Sequence, residues 1–421
     1  MNIAINEGRR QAALIFIFFT VLIDVLAFGS IIPVLPHLVQ QFVGGDASHA
    51  AYWTGAFSMA FSAVQFFASP IQGALSDRFG RRPVILLSCL GLGIDFMFMA
   101  LAPSMAWLFV GRMISAMTSA SFSTANAYIA DVTTPEARAK GFGMIGAAFG
   151  LGFIIGPLVG GELIRFGLRM PFWFSAALAL VNFLYGLFVL PESLPRERRT
   201  PTFDWAHAVP MGGVRLLADY PAIWGLIVVV FIANFAHYVY PNTFVLFADV
   251  RYHWNAQAAG RVLAVVGVIS VIVNAVLVGK LVKALGERRA LLLGLACGVC
   301  GFLIYSVAPT GWIFLAGLPI SGLWAIAGPA TMALISRQVG ADVQGRINGS
   351  LTSLVSLAGI FAPGVFAGSF GYFIGPHAPM HLPGIAFLIA AVLLACAWGV
   401  AWRYARTPAV AQASAVAEAS Q

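Results

Sequence analysis

The sequence predicts an all-α membrane protein, with twelve transmembrane helices in two six-helix bundles related by a parallel pseudo-two-fold repeat. Three observations predict it. The 421 residues are 60% hydrophobic and only 10% charged, with a mean hydropathy of +0.88, whereas soluble domains carry about 25% charged residues. Twelve apolar stretches are each long enough to cross a bilayer, which takes about 20 helical residues. The two halves of the chain also repeat each other at a constant offset of 206 residues.

The stretches are 12–36, 51–72, 83–102, 104–130, 140–163, 171–190, 222–247, 257–281, 289–308, 310–336, 345–374 and 382–404. In lipid every backbone polar group must be satisfied within its own segment, so such stretches form helices. The first is a span rather than a cleavable signal: it is too long, carries Asp24 in its middle and lacks a small-residue cleavage site. Residues 1–190 form the N-terminal bundle and 222–407 the C-terminal bundle. Between them, 191–221 is the longest connection and reads as a cytoplasmic linker, while 408–421 reads as a disordered tail rich in Ala, Ser and Val.

Charge sets the orientation. With both termini in the cytoplasm, 19 of the 24 Lys and Arg residues lie on that side, four (Arg165, Arg169, Arg251 and Arg261) lie opposite, and Arg112 falls within a span. Basic residues gather on the cytoplasmic side. The net charge of +8 is therefore topological and implies no nucleic-acid partner.

The repeat aligns Gly73 with Gly279, Gly80 with Gly286, Arg82 with Arg288, Gly111 with Gly317, Ser115 with Ser321, Lys140 with Arg346 and Pro157 with Pro363. An even number of spans separates the copies, so both enter the membrane in one orientation. That is a repeat about an axis along the membrane normal, with the substrate path at the interface of the halves and alternating access as its mechanism.

A charge inside a span costs about 2.5–3.5 kcal/mol on insertion scales and marks function by default. Only Asp24, Asp95 and Arg112 lie deep. The two acids fall about 12 residues into spans that start inside, and the arginine about eight residues into one that starts outside, so all three occupy one slab of the bilayer. Desolvation favours a protonated carboxyl group and a neighbouring guanidinium favours the ionised one. The three are candidates for proton coupling, and both acids also for substrate binding; the alternative is a structural pair that never titrates. Gln65, Asn126, Asn234 and His237 are further substrate-binding candidates, with Tyr238 and Asn274 beside them. Each alone reads first as an interhelical hydrogen bond and only second as a ligand. His237 is expected near the outer end of span seven, and Glu162 at an outer helix end. Phe61, Phe66 and Trp324 are candidates to line a pocket for a flat, amphiphilic molecule.

Gly73, Asp77, Arg78, Gly80, Arg81 and Arg82 cluster between spans two and three, where they can latch one conformational state; simple topological anchoring is the alternative. In span five Gly152, Gly156, Pro157, Gly160 and Gly161 permit close helix contact, and the proline permits a bend. The four cysteines read as small buried apolar side chains; the Cys297–Cys300 pair lacks a second ligand pair, so no metal site is expected. There is no Walker loop, no G-x-S-x-G and no H-E-x-x-H. The chain is therefore not expected to be an enzyme, to need a cofactor or to use ATP directly.

The segment GALSDRFGRRP at 73–83 resembles the cytoplasmic signature of the major facilitator superfamily, supported by Gly111-Arg112 and Asp131 in span four. GFIIGPLVGG at 152–161 resembles the signature of its proton-driven exporters. Within the superfamily the chain is similar to the twelve-span drug/proton antiporters, and to the tetracycline/proton antiporters in particular, over residues 12–400. The matching stretches are Asp24 with IIPVLP, Ile94-Asp95-Phe96, GRMISAMTSAS, LGERRALLLG and SRQVGADVQGRINGSL. The resemblance implies the major facilitator fold and a gating role for the 73–82 cluster with Asp131. It also implies proton-driven export of a small amphiphilic drug-like compound, tetracycline-type, by a monomer in a bacterial inner membrane. One departure stands out: spans eight and nine contain no interior Asp, Glu or His, and the positions where tetracycline exporters commonly carry polar or acidic residues fall near Ser270 and Gly298. Coupling must then rest on the first half. A proton-coupled uptake symporter of a small metabolite and a non-transporting receptor or scaffold are the competing readings.

Overall fold

A computed structural model describes residues 7–118, 121–200, 217, 220–339 and 343–405. The helices in chain order are α1 (Glu7–Ile31), α2 (Leu35–Phe42), α3 (Ala47–Phe79), α4 (Arg81–Leu101), α5 (Met105–Thr118), α6 (Ser121–Val132), α7 (Pro135–Leu163) and α8 (Met170–Val189). They continue as α9 (Trp224–His237), α10 (Val239–Tyr252), α11 (Ala256–Ile272), α12 (Val278–Leu285), α13 (Glu287–Val307), α14 (Gly311–Gly322), α15 (Ala327–Ser336), α16 (Gln344–Ile374) and α17 (Ile385–Tyr404). Most of the linker and the whole 408–421 tail lie outside the described residues.

Each predicted stretch falls on helix, and among the described residues there is no strand. Among the described residues, ten helical stretches are both long and apolar enough to cross a membrane. The 33-residue α3 is long enough, but Ser58, Ser62, Gln65, Ser69 and Gln72 lower its hydropathy. The fourth stretch is described in two pieces, α5 and α6.

Several spans are interrupted where the sequence reading drew them unbroken. Proline lacks an N–H, and its ring clashes with the carbonyl four residues back. Accordingly the chain turns at Ile32–Val34 ahead of Pro36, breaks at Tyr238 between α9 and α10 ahead of Pro241, and tightens to a 3-10 turn at Leu323–Ile326 ahead of Pro329. A π-helical turn, Val273–Leu277, joins α11 to α12. By contrast α7 runs on through Pro157.

Two compact units emerge: the described parts of Met1–Pro210 with His253–Gly267, and of Met211–Tyr252 with Val268–Gln421. In the first, α1 packs along α7 and α8, and α4 against α5 and α8. Its core includes Phe16, Ile17, Val21, Val25, Ile85, Tyr128 and Ile145. In the second, α13 packs on α14 and α17, and α9 on α16 and α17. Its core is aromatic: Tyr305 stacks on Phe314 at 4.2 Å between ring centroids, and Phe387 meets Phe247 edge-on at 4.9 Å. The Tyr305 and Ser321 hydroxyls pair at 2.5 Å, satisfying two buried polar groups.

The repeat extends to the backbone. Gly80, between α3 and α4, has φ +107°, and Gly286, between α12 and α13, has φ +78°. Both lie in the region that favours glycine. At the far end of α3, Asp46 caps the helix by accepting from the Ser48 and His49 N–H groups at 2.8 and 3.1 Å. The His49 side-chain hydrogen bond, then these N–H groups, hold its carboxyl below the usual range. The expectation for the cysteines needs correction. Cys89 is buried, but Cys300 and Cys396 are exposed and Cys297 is half-buried; they sit on outward-facing helix surfaces, where an apolar helix has no need to bury a small thiol.

Candidate functional site

Asp95 lies about two-thirds of the way along α4 and is fully buried. From α5, the Arg112 Nη1 donates to its Oδ2 at 3.3 Å. A Cβ on Gly111 would come within 3.0 Å of the Asp95 Oδ1, so the glycine makes room for the carboxylate. The guanidinium lies over the Phe61 ring of α3 at 4.4 Å, with Phe28 of α1 at 5.9 Å. Four helices thus hold one ion pair, with aromatic faces taking up part of the cationic charge.

Asp24, on α1, is 8% exposed. Its Oδ1 accepts from Asn182 Nδ2 at 3.0 Å, and the Cys89 thiol of α4 lies 3.9 Å away. Asn182 also donates to the Thr20 carbonyl at 3.1 Å. Neither Asn182 nor Cys89 was a candidate from sequence, yet a signal was present: Asn182 is the sole amide side chain in α8. The structure places both acids among the packed helices of one unit, but with different partners.

Gln65 lies one turn beyond Phe61 on α3, and Asn126 lies on α6; both are half-buried. In the second unit the Asn234 amide donates to the Val230 carbonyl at 2.8 Å. His237 does not sit near an outer helix end. The helical stretch runs from Pro221 to Tyr252, beyond the predicted boundary, so His237 falls midway along it, at the break that Pro241 imposes. Its ring lies 5.5 Å from Trp324. The Asn274 amide bonds to the Ser270 carbonyl at 2.9 Å, and Gly298 packs against Trp324 and Leu394.

The candidate gating cluster is bound together through Arg81. Its guanidinium pairs with Asp77 at 2.6 Å and Asp131 at 3.1 Å, and donates to Ser76 at 2.5 Å. Its backbone N–H donates to Glu192 Oε1 at 2.8 Å. The same oxygen accepts from the Ser193 and Leu194 N–H groups, and Ser193 Oγ donates to Asp131 at 3.2 Å. Arg199 pairs with Glu192 at 3.6 Å, and the Arg82 guanidinium caps the Leu187 carbonyl at 2.6 Å. Glu192 is therefore the hub that sequence reading missed. It sits in the linker, outside every span and every motif. Gly73 has open space around it.

The second unit carries the counterpart with its signs exchanged. Arg337 pairs with Glu287. By the offset of 206, position 287 corresponds to 81 and 337 to 131. The first unit places the cation at the helix start and the anion on the facing helix; the second does the reverse. Arg288, equivalent to Arg82, likewise caps a backbone carbonyl, that of Trp402, at 2.8 Å.

The span-five glycines form one seam. A Cβ on Gly152 would meet Val25 at 2.8 Å, one on Gly156 the Leu26 carbonyl at 2.8 Å, and one on Gly160 would collide with the Ser30 backbone. The seam therefore holds α7 close along α1, just past Asp24. A Cβ on Gly161 would meet the Ala256 carbonyl at 3.1 Å, and Glu162 pairs with Arg261 at 2.7 Å and accepts from Gln257 at 2.7 Å, all within the first unit.

Residues 17–363 match the sequence model of the Major Facilitator Superfamily. The chain belongs to the major facilitator superfamily. It is 37% identical over 358 residues to the class C tetracycline resistance protein of Escherichia coli, covering 84% of this chain and 89% of that one. It is 29% identical over 401 residues to multidrug resistance protein 2 of Bacillus subtilis, covering 92% and 95%. Among solved structures, the human organic anion transporter superposes with a TM-score of 0.69 at 24% identity, covering 93% of this chain and 99% of that one. A bacterial homologue of the human lysosomal transporter Spinster, inward-facing and occupied, gives 0.75 at 18% identity, covering 96% and 98%. At these identities the two structures speak for the fold alone. As a superfamily member the protein is a multi-pass membrane transporter of small molecules, not an enzyme.

Proposed function

We propose that this superfamily member is a proton-coupled exporter of small amphiphilic drug-like compounds, tetracycline-type, working as a monomer in a bacterial inner membrane with both termini cytoplasmic. The observation that carries it is the buried Asp95–Arg112 pair, in a chain whose relatives include tetracycline resistance proteins. A carboxylate and a guanidinium in apolar surroundings hold each other only while both are charged. A proton arriving on Asp95 cancels the attraction and frees α4 from α5, with Arg112 left on the Phe61 face; loss of the proton restores the pin. Removing one partner of a buried pair costs about 3–5 kcal/mol, more than the roughly 2.7 kcal/mol that takes a two-state equilibrium from 1:10 to 10:1. Asp24, Gln65, Asn126, Asn234 and His237 are assigned to cargo contact, and the Arg81–Asp131–Glu192 network to the cytoplasmic latch.

The test is a drug-susceptibility panel on bacteria expressing the chain, tetracyclines included, paired with drug uptake into inside-out vesicles. Raised resistance and uptake that a protonophore abolishes are the expected result. No change in susceptibility and no gradient-driven flux of any compound would refute export.

A further inference from the structure

The second unit holds a cavity of about 640 Å³, within the range of about 300–1,000 Å³ typical of small-molecule sites. Its wall comes from α9, the Tyr238 break, α15 and α16. Gln344, Asn348, Thr352 and Ser356 recur every four residues along α16, so one stripe of that helix faces the space. Asn234 and Tyr238 face it from the other side, and apolar groups such as Met332 fill the rest. Among the described lining residues none is charged.

The hydrogen-bonding inventory of this wall is specific. The Thr352 hydroxyl donates to the Asn348 carbonyl at 2.9 Å, the Ser356 hydroxyl to the Thr352 carbonyl at 2.9 Å, and the Asn234 amide to the Val230 carbonyl at 2.8 Å. Both hydroxyl protons are thereby committed to helix backbone, while their oxygens, like the Asn234 amide oxygen, still offer lone pairs. The Tyr238 hydroxyl and the Asn348 side-chain amide bond to no described residue, so they offer O–H and N–H donors. The wall thus combines donors and acceptors on an apolar ground, without a charge. The first unit, by contrast, buries an aspartate–arginine pair.

We infer that this cavity is a cargo subsite of the second unit that takes a neutral, polyoxygenated face: hydroxyl and carbonyl oxygens arrayed on an apolar ring skeleton. Proton and charge handling stay with the first unit. This rests on the export reading and deepens it, since it explains how a second half without deep acids contributes to transport. Net gain per hydrogen bond is small in water but larger where the alternative is an unpaired buried group, so several such bonds together select by pattern rather than by charge.

The experiment measures binding of radiolabelled tetracycline, a fused-ring compound with a row of hydroxyl and carbonyl oxygens, to the purified full-length protein. Thr352→Val keeps the side-chain shape and removes one acceptor; Asn348→Leu removes donor and acceptor. The expected Kd rises about fivefold for the first variant and more for the second. Asn348→Asp is expected to weaken tetracycline and tighten ethidium, a flat permanent cation, a reversal of preference that loosened packing cannot produce. Monodisperse elution verifies that each variant is folded. If wild type binds tetracycline and Thr352→Val and Asn348→Leu bind it equally well, the subsite is wrong and the export reading survives. If wild type neither binds nor moves tetracycline, the tetracycline-type export reading fails and the subsite falls with it.

Discussion

Substituting alanine for glycines inside and outside the seam of α7 separates two opposing effects within one helix. Alanine is favoured over glycine in a helix interior by about 0.8–1 kcal/mol. At Gly146 a Cβ meets nothing within 4 Å, so Gly146→Ala should stabilise by about that amount. At Gly156 the new carbon would sit 2.8 Å from the Leu26 carbonyl and 2.9 Å from the Gly29 Cα. Those are backbone atoms, and the cost of overpacking, about 1–3 kcal/mol, should cancel or outweigh the helix gain. At Gly160 the collision with the Ser30 backbone is more severe, and Ser30 is anchored by its hydroxyl contacts to Ser175 at 2.6 Å and to the Ala27 carbonyl at 2.9 Å. Relief requires α1 and α7 to part, so Gly160→Ala should lie at or beyond the top of that range. The helix gain is common to both positions, so the predicted spread between Gly146→Ala and Gly160→Ala is the overpacking cost alone, about 3 kcal/mol or more. Unfolding of the purified variants, followed by heat or denaturant, reads it directly. The order from most to least stable should be Gly146→Ala, Gly156→Ala, Gly160→Ala. A Gly160→Ala protein as stable as Gly146→Ala would refute the close packing of α1 on α7.

Two further predictions concern the latch. Arg81→Glu and Asp131→Arg should each impair transport, and the double variant should recover part of the loss, with a coupling of about 0.5–3 kcal/mol, because the second unit already carries that polarity at Glu287 and Arg337. Recovery stays incomplete because Asp77 and Glu192 would then face a carboxylate; single and double variants of equal activity would contradict the pairing. Gly80→Ala should destabilise more than Gly286→Ala: both impose a cost of about 1–3 kcal/mol for side chains at positive φ, but only at Gly80 would the Cβ also strike the Glu192 carboxylate. Equal losses in thermal unfolding would remove Glu192 from its place at the head of α4.

The fold was legible because membrane solvation leaves so few choices. Scarce charge, apolar stretches of about 20 residues and an offset of 206 residues were enough to read helices and repeat. Burial was legible too: Asp24, Asp95 and Arg112, singled out by their place along the apolar stretches, are all buried. Facing was not. Nothing in the spacing of Asp24 says that its neighbour is Asn182 on α8 while Asp95 has Arg112, because the choice depends on the rotation of each helix about its axis. The Arg81–Asp131 and Glu287–Arg337 correspondence was overlooked for another reason. Matching identical residues across the repeat finds Arg82 with Arg288, but a pair conserved in geometry and inverted in sign leaves no identity to find. Helix breaks at Tyr238 and Leu323–Ile326 were within reach, since Pro241 and Pro329 lie in plain view, and reading the first would have put His237 at the break.

Tetracycline accumulation in inside-out vesicles carrying Asp95→Asn, under an imposed pH gradient and again in gradient-free exchange, probes the buried pair most directly. The expected result is that exchange of labelled for unlabelled drug persists, while accumulation against a concentration gradient falls to the level of empty vesicles. Undiminished gradient-driven accumulation by the variant would mean that Asp95 carries no proton, and that its contact with Arg112 is architecture alone.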